Sequence, residues 1–188
     1  MTSLDPFVTV QDLTDYVGRD VTADPGALMA VDAACDMIRD ITEQDFNAGT
    51  TTITLDGSGT DVLILPQRPV TRAGTVLVDG SAITDYVPAT PDGFLYRGAA
   101  VATFTGTGAC WPRGRQNVTV TYEHGFQSLD VPRSIRMVAI SYAARLVLQG
   151  VAQQETVGDV IVNYGMSASD LTVNELRILK GYLATRSF

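Results

Sequence analysis

The sequence predicts an α+β fold, in which a bundle of about four helices carries an inserted antiparallel β lobe, a small sandwich or barrel. Three observations predict it. Apolar residues recur at helical spacing before residue 50 and again after Pro132. Between these stretches the period drops to two. The alternating segments are broken by closely spaced turn signals, Asp56-Gly57-Ser58-Gly59 and Asp79-Gly80 among them, which suits antiparallel pairing rather than a βαβ sheet. The expected organisation is N-terminal bundle helices over 1–49, the β lobe over 50–128 and C-terminal bundle helices over 129–188.

Each element has its own signal. Thr9 caps a short first helix, with Asp12 three residues on. Leu13, Tyr16 and Val17 share a face, and Gly18 stops it. Asp24 caps the second helix, with Pro25 at its first position. There Leu28, Val31, Ala34, Cys35, Ile38, Ile41 and Thr42 form an apolar face, and the end is expected near Asp45-Phe46-Asn47. Strands are expected at Thr51 to Leu55, Asp61 to Leu65 and Gly74 to Val78. Shorter ones are expected at Tyr86-Val87, Gly93 to Tyr96 and Val101 to Phe104. Asn117 to Tyr122 is the clearest strand. After Pro132, tolerated at a helix start, Ile135, Val138, Ala139, Tyr142, Ala143, Leu146 and Val147 line a long helix closed by Gly150. Val157 to Tyr164 reads as one exposed strand. A last helix runs from Leu171 to Thr185, with Thr172 and Glu175 as a capping box and Leu176, Leu179, Tyr182 and Leu183 as its face.

Composition narrows the function. The 188 residues are 45% apolar and 18% charged, enough apolar surface for a folded core. Net charge is -8, which argues against a general nucleic-acid grip, because counterion release needs many exposed cations. Of the 13 cations only Lys180 is lysine; the rest are arginine. No apolar run approaches the roughly 20 residues of a bilayer span. Met1 to Val10 has no basic segment before an apolar core, so no signal peptide is expected there. Cys35 and Cys110 have no metal-ligand spacing and read as free thiols.

No constellation carries chemistry, and no catalytic, metal or cofactor residue is assigned. His124 is the only histidine, and its neighbour Glu123 points to the opposite face of a strand. Asp56-Gly57-Ser58-Gly59-Thr60-Asp61 lacks the bidentate Glu of a calcium loop and the Gly-Lys of a phosphate loop, so a hairpin turn explains it better. Asp36, Asp40, Glu43 and Asp45 read as a solvated acidic face. Trp111-Pro112-Arg113-Gly114-Arg115 has side chains favoured at protein interfaces; equally, Trp111 can plug the β lobe while the arginines are solvated.

The order of elements then meets specific words. Leu55-Asp56-Gly57-Ser58-Gly59, Leu63-Ile64-Leu65-Pro66, Arg68-Pro69-Val70 and Val76-Leu77-Val78-Asp79-Gly80 resemble the β lobe of head-to-tail adaptor (head-tail connector) proteins of tailed bacteriophages. Trp111-Pro112-Arg113-Gly114, Asn117 to Tyr122, His124-Gly125-Phe126 and Val131-Pro132 continue the likeness. It runs from about Thr9 to Tyr182, with the segment from Ile83 to Gly108 unmatched. The resemblance implies a structural virion protein without enzymatic activity, made in the bacterial host cytoplasm. Its members form a ring with copies of themselves, commonly dodecameric, beneath the portal protein. They extend the DNA channel and dock a stopper or tail-completion protein. The C-terminal part, here Leu171 to Phe188 with Glu175 and Tyr182, becomes the portal-facing candidate.

A closed ring needs heterologous contacts. Arg113, Arg115, Arg133, Arg136 and Arg145 are candidates to pair with acids of the next subunit, since arginine binds carboxylates bidentately. An acidic lumen would let DNA pass without specific binding. Residues 150–169 and the last residues are candidates for ordering on assembly. The alternatives are a stopper or tail-completion protein, mainly β, and a monomeric β-sandwich module that binds carbohydrate or protein.

Overall fold

The computed structural model describes residues 5–97, 109–127, 130–149, 154–157, 160–163 and 171–184. Among these residues four helices and nine strands follow in chain order: α1 (Val10–Val17), α2 (Pro25–Thr42), β1 (Gly49–Gly57), β2 (Val62–Ile64), β3 (Val70–Val78), β4 (Ser81–Ile83), β5 (Tyr86–Ala89), β6 (Phe94–Arg97), β7 (Gly114–His124), α3 (Arg133–Gln149), β8 (Gln154–Val157), β9 (Val160–Asn163) and α4 (Val173–Lys180). This is the α+β fold that the spacing predicts. The chain divides into two compact units, one made of Met1–Glu43 with Ser128–Leu183, the other of Gln44–Gln127 with Ala184–Phe188.

In the helical unit the sequence signals act locally as read. Thr9 accepts from the Asp12 N–H and Asp12 returns a bond to the Thr9 N–H at 2.8 Å, a closed capping box. Gly18 ends α1 with φ 73°, a conformation that suits glycine because no Cβ is present to clash. Asp24 accepts from the Gly26 N–H at 2.8 Å, with Pro25 at the first helical position. α2 and α3 pack against each other, and each also packs against α1 and α4. Ile135, Ala139 and Ala143 of α3 are fully buried, as are Leu13 of α1, Ala34, Cys35 and Ile38 of α2 and Leu179 of α4.

Helix α4 ends at Lys180, short of the expected Thr185, and other details also differ from the expectation. Helix α2 ends at Thr42, not near Asn47, because Glu43 turns left-handed at φ 54°. Its buried face runs through Ala27, Ala30 and Val31, which leaves Leu28 and Met29 open to solvent. Small alanines allow helices to approach more closely than a leucine would. The stretch expected as one strand from Val157 to Tyr164 takes in only the last residue of β8 and then β9, and the two strands are antiparallel with Val157 opposite Val160. Gly158-Asp159 lies between them, a pair of turn formers that favours a reversal over a continuous strand.

Among the described residues the β unit holds two antiparallel sheets. One has the order β1-β7-β3-β4, the other β2-β6-β5. Neither closes into a barrel. One cluster drawn from both sheets forms the core: Val76, Val78, Val118, Val120 and Tyr122 from the first, Leu63 and Leu95 from the second, with Leu65 and Trp111. β7 shows why. Val118, Val120, Tyr122 and His124 face inward, and Thr119, Thr121 and Glu123 lie on the other face. That outer face pairs threonines across strands, Thr52 with Thr121 at 2.8 Å and Thr54 with Thr119 at 3.2 Å. At the end of β1 a bulge brings Gly57 opposite Gly114. A Cβ on Gly57 would overlap the Pro112 carbonyl, so only glycine fits there. The strand expected at Val101 to Phe104 lies outside the described residues.

Candidate assembly surfaces

The junction of α3 and α4 is built around one carboxylate. Glu175 is the third residue of α4 and closes a capping box with Thr172, accepting from its N–H at 2.8 Å and its hydroxyl at 2.9 Å. It also accepts two bonds from Arg145 of α3, at 3.0 and 2.9 Å, and one from the Ser141 hydroxyl. Ser141 and Arg145 sit four apart, so they lie on one face of α3. Burial pushes the Glu175 carboxyl up, but the bonds from Arg145, Ser141 and Thr172 outweigh it and hold the group at about 2. The sequence signals for Thr172 and Glu175 were visible. Their partners on α3 were not, because nothing local pairs residues 30 and 34 positions apart.

This changes the standing of several interface candidates. Arg145 and Glu175 satisfy each other within one chain, with side-chain exposures of 22% and 11%. Arg136 likewise donates to Asp12 of α1 at 2.9 Å. For the Asp12 carboxyl, burial is outweighed by bonds from Thr9 and by the Arg136 charge, so its pKa is lowered. Arg136 and Arg145 therefore each hold a carboxylate within the helical unit, while the Nε of each has no hydrogen-bond partner among the described residues. Trp111 is also corrected. It is fully buried, and its indole N–H donates to the Leu95 carbonyl at 3.1 Å. An aromatic ring with its one donor satisfied is a core plug, and Arg97 stacks over it at 5.7 Å.

Three candidates stay open to solvent. Arg113, Arg115 and Arg133 are exposed and make no ion pair among the described residues. Arg113 and Arg115 flank Gly114 at the start of β7; Arg133 opens α3. In the C-terminal segment Leu171 is half-buried, and the half-buried Tyr182 meets the Ser134 hydroxyl at 3.4 Å. Phe188 lies outside the described residues. So does most of 150–169, apart from β8 and β9. The expected face of α4 is only partly buried: Leu179 is covered, while Leu176 and Leu183 are open.

The groups considered for chemistry do not converge. His124 is 4% exposed, and its Nε2 lies 2.9 Å from the Thr51 hydroxyl. Burial lowers its pKa, and the charge of Asp45 offsets this in part. Glu123 faces away and meets Arg72 at 3.4 Å. Asp56 accepts from the Gln116 N–H at 2.7 Å, and Ser58 and Thr60 bond to the Val62 carbonyl. These bonds make the segment a hydrogen-bonded turn. No group of three or more His, Cys, Asp or Glu side chains suited to a metal occurs among the described residues. No helix there is long and apolar enough to cross a membrane.

No family model and no curated protein matches this chain. Solved structures do. A chain of the neck of an empty GTA particle, computed with C6 symmetry, is 15% identical at a TM-score of 0.60, covering 96% of this chain and 91% of that one. A chain of the neck of the native GTA particle, computed with C12 symmetry, is 14% identical at 0.56, covering 95% and 90%. A chain of the virion of the native gene transfer agent (GTA) particle is 16% identical at 0.61, covering 100% and 95%. At these identities the likeness is one of fold, and it spans both units of the molecule.

Proposed function

We propose that this chain is a structural virion protein of the neck, a head-to-tail adaptor without enzymatic activity. In this reading copies of the chain form a ring beneath the portal protein, extend the DNA channel and dock a stopper or tail-completion protein. The observation that carries it is the two-unit fold, shared over at least nine-tenths of both chains with components of a particle neck. Twelve copies is the proposed number, in keeping with the twelvefold symmetry applied to one of those necks. The helices flanking the β unit favour the adaptor over a stopper built mainly of strands.

The exposed arginines Arg113, Arg115 and Arg133 are the proposed contacts to acids of the next subunit. The overall charge of -8 supports a lumen that repels phosphate and lets DNA slide. The C-terminal segment around Leu171 and Tyr182 is the proposed portal-facing part. Negative-stain images of the protein mixed with its portal test the reading. Closed rings stacked coaxially on the portal are expected. A protein that stays monomeric in the presence of portal overturns it.

A further inference from the structure

Among the described residues the two sheets of the β unit have four edge strands, and three are guarded. β2 and β4 have three residues each, and β5 has four with Pro88 among them. Short edges and edge prolines are how sheets avoid pairing with other chains. β1 is different. It has nine residues, ends its sheet, and contains no proline and no cation. Its pairing with β7 is regular from Gly49 to Leu55, and its bulge comes only at Gly57. Among the described residues no strand pairs with its other side. Half of its backbone N–H and C=O groups point that way.

The same chain holds an unmatched ribbon. Among the described residues β8 and β9 pair only with each other, four residues against four. Two strands alone are marginal in water, and a third strand or packing against a helix is what makes such a ribbon stable. The sequence of β9, Val160-Ile161-Val162-Asn163, has three consecutive β-branched apolar residues and no charge. That composition suits a central strand better than an edge. At about 3.3 Å per residue the ribbon needs only about 13 Å of the roughly 30 Å that β1 offers.

We propose that β9 of one subunit pairs with β1 of the next. The result is a continuous inter-subunit sheet of order β8-β9 followed by the neighbour's β1-β7-β3-β4. The contact is heterologous: each copy offers one edge and one ribbon, so copies join head to tail and close by rotation. Main-chain hydrogen bonds carry the affinity, as in strand addition generally. The proposal rests on the ring reading for its closure.

Cysteine pairs test it in a Cys110→Ser background, since Cys110 is exposed and Cys35 buried. Thr50→Cys, Thr52→Cys or Thr54→Cys is combined with Val160→Cys, Ile161→Cys or Val162→Cys. Portal-bound rings are oxidised and run on denaturing gels. Disulfide-linked ladders of two, three and more chains are expected for combinations of one register, because bridges form only where Cα atoms lie within about 7 Å. Rings that form but give no ladder with any combination overturn the strand pairing and leave the adaptor reading intact. Cross-links confined to single chains also overturn it, by showing the ribbon folded onto its own β1. Absence of rings for wild type sinks both. As a second variant, residues 154–163 are replaced by ten Gly/Ser residues. Half-assembly is then expected at roughly tenfold or higher protein concentration, as the loss of a few backbone bonds implies. Unchanged assembly of that variant contradicts the proposal.

Discussion

Replacing Glu175 with Gln removes one charge and keeps the shape. In wild type the carboxylate takes five hydrogen bonds, from Arg145, Ser141 and Thr172, and its side chain is 11% exposed. A carboxyl held at about 2 in the folded chain, against 4.5 when free, contributes roughly 3 kcal/mol at neutral pH. Arg145 keeps some contact with water, which screens part of this, so about 2–3 kcal/mol is the expected loss. For a chain of this size that lowers Tm by about 5–10 °C. The assay is thermal unfolding followed by circular dichroism at 222 nm, for wild type and Glu175→Gln, across pH. The folded pKa is depressed, so the stabilisation is complete above the free value of 4.5. It fades as pH falls towards about 2. The gap between the two proteins should therefore be full at pH 7 and close over that interval. A Glu175→Gln protein that melts within 1 °C of wild type at pH 7 refutes the reasoning. So does a gap that persists unchanged below pH 2.

Other expectations follow from single contacts. His124 is held neutral by burial, so its NMR titration midpoint should lie below 6.5, and a midpoint above it would contradict the burial argument. With a depressed folded value, its contribution to stability is present above pH 6.5 and falls as pH drops through that midpoint. Gly57→Ala forces a methyl into the Pro112 carbonyl; a loss above about 3 kcal/mol in urea unfolding is expected, and less than 1 kcal/mol would show that the bulge can shift. Arg136→Glu sets a second negative charge against Asp12 and should lower the stability of the free protein by about 1–3 kcal/mol. Arg133→Glu, at an exposed site with no ion pair among the described residues, should change it by less than about 0.5 kcal/mol while weakening ring assembly. Equal effects of the two on the monomer would undo that distinction.

Much of this architecture is legible in the sequence because its signals are local. Thr9, Gly18, Asp24, Pro25 and the Thr172–Glu175 box each act within three or four residues of themselves, and each sits where its chemistry places it. β7 announces itself by strict alternation from Val118 to Tyr122. What escapes is tertiary. The choice of Ala27 and Ala30 over Leu28 for the buried face of α2 depends on how closely α3 approaches. Sequence leaves Trp111 between surface and core, because the Leu95 carbonyl that takes its indole N–H lies 16 residues away. Arg136 and Arg145 looked like free cations because Asp12 and Glu175 lie 124 and 30 residues away. That Val157 ends one strand and Val160 begins another agrees with a sequence in which the turn formers Gly158-Asp159 stand between them. The open edge of β1 becomes visible only when strand order is known.

The central claim is a ring of this chain on the portal, and its mass tests that most directly. Native mass spectrometry of the portal complex should add a fixed multiple of the 20.1 kDa chain, twelve copies in the proposed reading, with no partial species dominating. A portal that takes up one copy, a variable number or none contradicts the account.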